Sequence, residues 1–331
     1  MDPQTIYIAS SIDDNYAMPF ACMISSVIDN LSPCYSLKCF VMGDGISDEN
    51  KKKIFASFDQ KPVSFHWFYP DREKLIGMAP KRHYSLAAAY KILIFNLLPG
   101  TIEKIIFLDA DLVVLKDLTR LWHTNTGDKV CCAVQDMSIP YIDAKRSSKD
   151  FKRYAPYIEA SVPILDYEKF KIDPLAKYFN SGVMLINVQK WREKRVEEKI
   201  IQFLLNIQAQ NEYPDQNGLN GILFNQWGEL DPRWNRISHF FRYPAYNKSP
   251  FSKEIFNQIK FDPYIIHFVS SYKPWYWGNY PIGAKLFFKY LDKTCWKGTR
   301  PRISVRAIKT KIRDWLWQIR NKRFHAQSKT S

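Results

Sequence analysis

The sequence predicts an α/β protein built on a doubly wound sheet, and three features lead to this prediction. Short apolar runs alternate with longer segments of helical periodicity through the first 136 residues. One of these runs, KIIFLD at residues 104–109, is apolar on both faces, which is typical of a central strand in a parallel sheet. The chain has 331 residues, of which 46% are hydrophobic, enough to cover such a sheet on both sides.

The first half of the chain supplies the elements of this sheet. Ser47 is a suitable helix N-cap, and Asp48 and Glu49 follow in the first turn, where carboxylates interact favourably with the helix dipole. A later helix is stopped by the pair Pro99-Gly100. In order, we expect a strand at residues 5–10, a helix at 16–31, a strand at 37–42, a helix at 47–58, a strand at 63–68, a helix at 86–98, and strands at 104–109 and 130–136.

The second half of the chain has a weaker pattern. Residues 137–178 show no clear period and suggest a long flexible excursion, and residues 225–263 look rich in loops. The segment YFNSGVMLINVQKW predicts a strand followed by a helix, a further helix is expected after Pro214, and YIIHFV predicts a last strand. Since no low-complexity linker interrupts residues 1–290, we expect one domain there, followed by a tail at 291–331.

This C-terminal tail holds most of the chain's excess positive charge. The formal net charge is +15, and residues 297–331 contain 11 Lys and Arg against one acid, Asp314. Such a local excess argues against a nucleic-acid groove spread over the fold, so no nucleic-acid partner is expected. Residues 300–323 predict a basic amphipathic helix suited to an anionic membrane surface, with packing on the domain or on a partner as the alternative. Its apolar face consists of Ile308, Ile312, Trp315, Leu316 and Ile319.

Cysteine spacing and the N-terminal composition bear on the compartment. None of the six cysteines forms a Cys-x-x-Cys pair, so we expect reduced thiols and no cysteine zinc site. No apolar run reaches the roughly 18–20 residues of a membrane span. The start, MDPQTIYIASS, lacks the charged region and apolar core of a signal peptide. These features favour a cytoplasmic protein.

Two carboxylates, Asp109 and Asp111, stand at the end of the apolar run KIIFL. Burying both in ionised form is costly unless a cation or hydrogen bonds compensate, so the pair either faces water in a turn or holds a cation. Carboxylates are ligands that Mg²⁺ or Mn²⁺ prefers, and such a metal could hold a diphosphate. His267 also follows an apolar strand and would favour Mn²⁺, although a lone histidine there is more often structural. Lys273, close behind it, is a point charge suited to phosphate.

Several segments together resemble one enzyme family. In chain order, between residues 5 and 290, they are IASSIDDNYAMP, AAYKILIFNLLP, KIIFLDADLVVLKDLTRLW, YFNSGVMLINVQKW, DQNGLNGIL and IIHFVSSYKPW. The chain is thereby similar to glycosyltransferase family 8, which includes bacterial lipopolysaccharide galactosyl- and glucosyltransferases and glycogenin. The resemblance implies the GT-A fold, a Rossmann-like α/β/α sandwich with a mixed sheet. Residues 1–136 would then bind the nucleotide, and residues 137–290 would bind the acceptor.

The family's functional positions map onto residues of this chain. The resemblance implies that Asp109, Asp111 and His267 bind the metal, with Asp109 also near the donor. Asp215 and Gln216 match a pair below the anomeric carbon of the donor sugar and are the expected catalytic residues. The other positions expected to contact the uracil, ribose, phosphates or sugar of the donor are Asp13, Asn15, Tyr16, Lys91, Asp136, Asn180, Ser270 and Lys273.

Two of these positions depart from the family pattern. Lys91 stands where the family usually has an arginine, so it keeps the charge but lacks the bidentate fork. Ser270 stands where many members have a glycine in the phosphate loop, which bears on how tightly that loop closes. Neither departure removes a metal ligand.

The reaction implied by the resemblance is transfer of a hexose with retention of configuration. The donor would be UDP-glucose or UDP-galactose, the cofactor Mn²⁺ or Mg²⁺, and the acceptor a glycan or glycolipid of the lipopolysaccharide or cell-surface type. The protein would then sit peripherally on the cytoplasmic face of the inner membrane. Because the neutral amide of Gln216 is a poor nucleophile, we favour front-side attack, in which the leaving phosphate takes the acceptor's proton.

Two other functions are weighed against this one. A haloacid-dehalogenase-like phosphatase also has Asp-x-Asp after an apolar strand, and Val113 fits its pattern, but that strand normally lies near the N-terminus. A degenerate transferase could serve as a non-catalytic scaffold that binds a UDP-sugar or a carbohydrate. The presence of all three metal ligands, Asp109, Asp111 and His267, argues against the scaffold.

Overall fold

Strands and helices alternate along the computed structural model, which describes residues 4–71, 73, 89–207, 213–270, 273–278, 281–302 and 308. The strands are β1 (Gln4–Asp13), β2 (Tyr35–Asp44), β3 (Val63–Phe68), β4 (Lys104–Leu108), β5 (Leu112–Val114), β6 (Cys131–Gln135), β7 (Phe179–Asn187), β8 (Trp227–Glu229), β9 (Arg236–Ile237) and β10 (Ile265–His267). The α-helices are α1 (Ala17–Asn30), α2 (Asp48–Ser57), α3 (Ile94–Leu97), α4 (Thr119–Trp122), α5 (Ala144–Ser147), α6 (Phe151–Tyr154), α7 (Val188–Glu193), α8 (Val196–Asn206), α9 (Pro214–Leu223), α10 (Lys253–Phe261) and α11 (Ala284–Leu291).

A seven-stranded mixed sheet in the order β3-β2-β1-β4-β7-β6-β8 forms the centre of the molecule. The predicted central position of β4 is confirmed, but its expected parallel surroundings are only half right. It pairs in parallel with β1 and antiparallel with β7. The apolar character of KIIFL reflects burial of both faces of the strand, which central strands share whatever the direction of their neighbours.

Two apolar layers cover this sheet, one on each face. The first includes Phe20 and Ile24 of α1, which pack with Ile8 of β1. The second includes Trp191 of α7 and Phe95, whose rings meet edge to face with centroids 4.7 Å apart. The arrangement is the layered α/β architecture that the alternating pattern predicts.

A second, three-stranded sheet in the order β5-β10-β9 stands beside the first. Here β10 runs antiparallel to β5, with His267 opposite Leu112, and parallel to β9. This pairing brings the end of β10 to the residues that follow β4. It thereby joins two parts of the chain that are more than 150 positions apart in sequence.

The helix predicted at residues 86–98 is interrupted. Residues 86–88 lie outside the described part of the chain, residues 91–93 form a turn, and the helix resumes as α3. The turn contains Lys91, whose side chain makes ion pairs in the protein interior. Periodicity in the sequence does not encode such long-range contacts, so it predicts a continuous helix.

The two segments with weak patterns are more ordered than expected. Residues 137–178 include α5 and α6 and have a small apolar core of their own, formed in part by Ile139, Ile142 and Tyr178. Residues 225–263 contain β8, β9 and α10, and the Ser252 side chain caps α10 by accepting a hydrogen bond from the Ile255 N–H. The expectation of a flexible excursion at residues 137–178 is therefore wrong, whereas residues 225–263 join these short elements by the loops that were expected.

The predicted C-terminal amphipathic helix lies almost entirely outside the described residues, since only Ile308 is described beyond residue 302. Within the described ranges, no helix is long and apolar enough to cross a membrane.

Candidate active site

A cleft of about 470 Å³ opens where β1 and β4 end. Asp13 ends β1 and Asp109 follows β4, and because these strands are parallel neighbours, both carboxylates reach the same edge of the sheet. The N-terminal turn of α9 and the segment after β10 contribute further walls. The residues of interest that line it are Asp13, Tyr16, Lys91, Asp109, Asp111, Asp136, Asn180, Asp215, Gln216, His267, Ser270 and Lys273.

Asn15 is the one residue of the expected set that does not line the cleft. It is exposed in the short 3-10 turn Asp14–Tyr16. Asp13 caps this turn, since its Oδ1 accepts a hydrogen bond from the Tyr16 N–H at 3.2 Å. The Tyr16 ring meets that of Trp275 edge to face, which joins the first loop to the segment after β10.

Asp109, Asp111 and His267 form a cluster whose ligand atoms all lie within 4.8 Å of one another. His267 Nε2 lies 3.1 Å from Asp111 Oδ1 and 3.8 Å from Asp109 Oδ2. Two carboxylates and one imidazole suit a divalent cation of the Mn²⁺ class. The donor set therefore fits the metal that the resemblance implies.

Gly182 of β7 leaves the space in which this cluster sits. A Cβ atom at this position would overlap the His267 ring and lie 2.8 Å from Asp109 Oδ2. Any side chain here would displace two of the three ligands. The glycine inside the strand YFNSGVMLIN is therefore required by a close approach, one of the usual reasons for glycine in a strand.

Lys273 neutralises the inner carboxylate of the cluster. Its ammonium pairs with Asp111 and donates a hydrogen bond of 2.6 Å to the Phe268 carbonyl oxygen. Burial by itself would raise the pKa of Asp111, but the charges of Lys273 and His267 outweigh it and hold that pKa well below its usual range. Asp111 is therefore ionised at neutral pH although only 8% of it is exposed.

Lys91 likewise forms ion pairs with two other carboxylates, those of Asp109 and Asp215. Its Nζ lies 3.1 Å from Asp109 Oδ1 and 2.9 Å from Asp215 Oδ2, and it donates to Ser181 Oγ at 3.2 Å. Burial favours the neutral amine, but both carboxylates raise the pKa of Lys91 above its usual value. Burial raises the pKa of Asp109 in spite of Lys91, and the charge of Asp111 adds to the effect.

Asp136 anchors a set of hydrogen bonds on the opposite wall. Its Oδ2 accepts from Asn180 Nδ2 at 2.9 Å and from Gln216 Nε2 at 3.1 Å. The Gln216 carbonyl oxygen accepts in turn from the Ser181 N–H at 3.1 Å. Both ends of the Gln216 amide are therefore held, and the side chain is 7% exposed.

The position of α9 follows from its glycines. A Cβ at Gly218 would lie 2.7 Å from Ile200 of α8, and one at Gly221 would overlap Phe203. The two helices can therefore pack closely, which presses the first turn of α9 against the sheet. Asp215 and Gln216, in that first turn, consequently lie buried at the floor of the cleft.

A sequence model of Glycosyl transferase family 8 matches residues 7–277. The chain belongs to this family. General stress protein A of Bacillus subtilis is 27% identical, with 88% of this chain and 95% of the relative covered. Lipopolysaccharide 1,2-glucosyltransferase of Escherichia coli K12 is 25% identical, with 94% and 84% covered. A crystal structure of the galactosyltransferase LgtC with donor and acceptor sugar analogues superimposes with a TM-score of 0.68 at 20% identity and covers 91% of this chain and 98% of that one.

Membership in family 8 and the structural likeness establish the GT-A fold expected from the resemblance. Family membership also rules out the haloacid-dehalogenase-like phosphatase as the alternative. The first departure from the family pattern, Lys91, keeps a cation in contact with Asp109 and Asp215. A single ammonium makes both contacts, where an arginine fork would need more room in a position that is 3% exposed.

The second departure, Ser270, lies where the backbone itself favours the glycine of the family pattern. Its φ angle is +60°, in the left-handed region where glycine is at ease and other residues are strained. Its Oγ lies 3.2 Å from His239 Nε2, and His239 Nδ1 lies 3.5 Å from Glu159 Oε2. Burial and the charge of Arg242 lower the pKa of His239 to about 4, so the ring is neutral at pH 7. Position 270 is thus tied to His239 by a hydrogen bond that glycine could not make.

Several residues in or beside the cleft were missed from sequence. Gly182 could have been noticed as a glycine inside an apolar strand. Glu159 and His239 lie in segments without a readable pattern, and Asn235 precedes a strand of two residues. Nothing local distinguishes Asn235 and His239 from surface residues, because their burial depends on distant parts of the chain.

Proposed function

We propose that this chain transfers glucose or galactose from a UDP-sugar to a hydroxyl group of a glycan or lipid-linked acceptor, with retention and with Mn²⁺ as cofactor. One observation supports this most strongly. The Asp109–Asp111–His267 cluster shares its cleft with two lysines and with the buried pair Asp215 and Gln216. A metal site beside cations suits a diphosphate, and the polar floor suits a sugar.

Asp109, Asp111 and His267 would hold the metal, which when bound would neutralise charge on the donor diphosphate. Lys273 is placed to contribute an ammonium donor to the same phosphates. Asp13, Asn15 and Tyr16 would contact the uridine, and Ser270 would lie in the phosphate loop. Asp136 and Asn180 would bind hydroxyls of the donor sugar, with Lys91 beside the sugar and the phosphate. The exposed position of Asn15 requires that the nucleotide extend from the mouth of the cleft.

The hydrogen bonding of Asp215 and Gln216 favours front-side attack. Asp215 is 1% exposed and paired with Lys91, and the Gln216 oxygen is a neutral amide that already accepts from the Ser181 N–H. Both are therefore poor nucleophiles. In the front-side reaction the bond between the anomeric carbon and the phosphate oxygen breaks while the acceptor oxygen bonds to that carbon, and the acceptor proton passes to the leaving phosphate. The Gln216 carbonyl and the Asp215 carboxylate would stabilise the positive charge that develops on the sugar.

The acceptor would bind on the side formed by residues 137–290, where Glu159, Tyr213 and His239 offer hydrogen-bonding groups. The basic segment at 300–323 would hold the protein peripherally on an anionic membrane, on the cytoplasmic face where a lipid-linked acceptor is presented. The charge pattern of the sequence supports this attachment.

The test is release of UDP from a panel of UDP-sugars, with and without Mn²⁺ and without acceptor. We expect slow release from one sugar that requires Mn²⁺ and is lost in Asp111→Asn. Mass spectrometry of the protein during turnover should show no covalent glycosyl adduct. An adduct on Asp215 would refute the front-side mechanism. Folded protein that neither releases nor binds UDP would refute the proposed donor.

A further inference from the structure

Asn235 is a buried residue in contact with the metal cluster, and nothing in the family resemblance assigns it a role. It ends the 3-10 turn Pro232–Asn235, just before β9, and is 1% exposed. We propose that Asn235 is a positioning residue that fixes the proton and the orientation of His267 through a hydrogen-bond chain anchored at Asp136. The inference rests on the proposed function, because it concerns the imidazole of the same metal site.

The chain runs through four side chains that come from different parts of the fold, joined by three hydrogen bonds. His267 Nδ1 lies 3.0 Å from Asn235 Oδ1, and Asn235 Nδ2 donates to Asn180 Oδ1 at 2.9 Å. Asn180 Nδ2 donates in turn to Asp136 Oδ2 at 2.9 Å. Every link is buried, so water does not compete for these groups.

The direction of each hydrogen bond follows from the Asp136 end of the chain, where backbone N–H groups can only donate. Asp136 acts as an acceptor throughout: its Oδ1 accepts from the Ser138 N–H and Oγ–H and from the Ile139 N–H. Asn180 must therefore turn its NH₂ group to Asp136. Its Oδ1 then faces Asn235, and this is confirmed independently by the Gly182 backbone N–H, which donates to the same oxygen at 3.0 Å.

The same logic carries to the imidazole. With Asn180 presenting an oxygen, Asn235 must present its NH₂ group, which leaves its own Oδ1 facing His267 Nδ1. An amide oxygen only accepts, so Nδ1 must bear a hydrogen. Nε2 lies 3.1 Å from Asp111 Oδ1 and donates its hydrogen to that oxygen, so it is the nitrogen that would release a hydrogen to bind a metal. Such outer partners of a metal-binding histidine set its tautomer and ring orientation.

The first test is Mn²⁺ binding in the presence of UDP, followed by the electron paramagnetic resonance signal of free Mn²⁺. Asn235→Ala should weaken Mn²⁺ binding by about 10–100-fold, the usual cost of losing such a partner. Asn235→Asp keeps an acceptor on Nδ1 and should bind Mn²⁺ more tightly than Asn235→Ala. Asn217→Ala is the matched control, since Asn217 is another buried amide, 2% exposed, and should leave Mn²⁺ binding unchanged.

The outcomes separate this inference from the proposed function. If Asn235→Ala binds Mn²⁺ as wild type does, or if the alanine and aspartate variants are equally weak, the positioning role is wrong while the metal site stands. If wild type binds no Mn²⁺ even with UDP, both fail.

A second measurement needs no folded variant at position 235. Long-range ¹H–¹⁵N spectra of the wild-type protein, with the His267 signals assigned through His267→Gln, report which ring nitrogen is protonated. We expect a protonated Nδ1. A spectrum in which His267 Nδ1 lacks a hydrogen would overturn the inference.

Discussion

Replacing Lys91 by methionine removes one buried cation without leaving a large cavity, and we expect it to destabilise the fold markedly. The Lys91 ammonium lies 2.9 Å from Asp215 and 3.1 Å from Asp109, with its side chain 4% exposed. Removing one partner of a buried ion pair costs about 3–5 kcal/mol, because the remaining charge has neither water nor a counter-ion. Here two carboxylates lose their cation together, so we expect a value toward the upper end of that range.

The matched control is Lys177→Met. Lys177 lies 2.8 Å from Glu229, about the same separation, but the two side chains are 41% and 54% exposed. An exposed pair of this kind contributes about 0–1 kcal/mol. Urea unfolding of wild type and both variants, in the presence of a chelator and compared at equal slope, measures the difference. If Lys91→Met costs no more than Lys177→Met, the reasoning from burial is wrong.

The pH dependence of the same variant gives an independent check. Burial already raises the pKa of Asp109, and without Lys91 that pKa rises further, so the folded variant binds protons more readily than wild type. Its stability deficit relative to wild type should therefore shrink as the pH falls from 7 toward 5. Lys91 itself stays protonated over this range because its pKa is raised in the folded state. A deficit that is constant or grows on acidification would contradict this account.

Three further results are expected. Gly182→Ala should cost about 1–3 kcal/mol in urea unfolding and weaken Mn²⁺ binding, whereas Gly100→Ala, where a Cβ meets nothing within 4 Å, should do neither; equal effects would refute the close-approach argument. In urea unfolding, Ser270→Gly should be more stable than Ser270→Ala by roughly 1 kcal/mol. Both variants lose the hydrogen bond to His239, and only alanine keeps the left-handed strain; the reverse order would be inconsistent with that strain. Replacing the Lys and Arg residues of 306–323 by Gln should abolish salt-sensitive flotation of the full-length protein with anionic vesicles; unchanged flotation would exclude an electrostatic role for the tail.

Local signals in the sequence predicted the first half of the fold well. The Ser47 cap accepts a hydrogen bond from the Asn50 N–H, and α2 begins at Asp48 as expected. Sequence signals failed for short strands that pair with distant parts of the chain. Strands β5 and β9 have three and two residues, too few to show a period, and they are strands only because β10 lies between them.

The candidate site shows the same division. Every residue that the family motifs singled out, except Asn15, lines one cleft in the structure. The roles of these residues stay predictions. Asn235 and His239 could not be found in this way, because their significance depends on which side chains meet them in three dimensions. A polar residue among PRWNRI looks like a surface residue until its neighbours are known.

The structure accounts for the two carboxylates that interrupt the apolar run after β4. Asp109 and Asp111 are held in the interior by two cations from distant parts of the chain, Lys91 and Lys273, each within ion-pair distance. With Asp215 included, three carboxylates face two ammonium groups, which leaves the cluster short of positive charge unless His267 or a bound cation supplies it. A divalent cation would reverse that balance and leave the lysines freer to meet an anion. The same arrangement therefore stabilises the buried carboxylates and favours the proposed combination of metal and diphosphate.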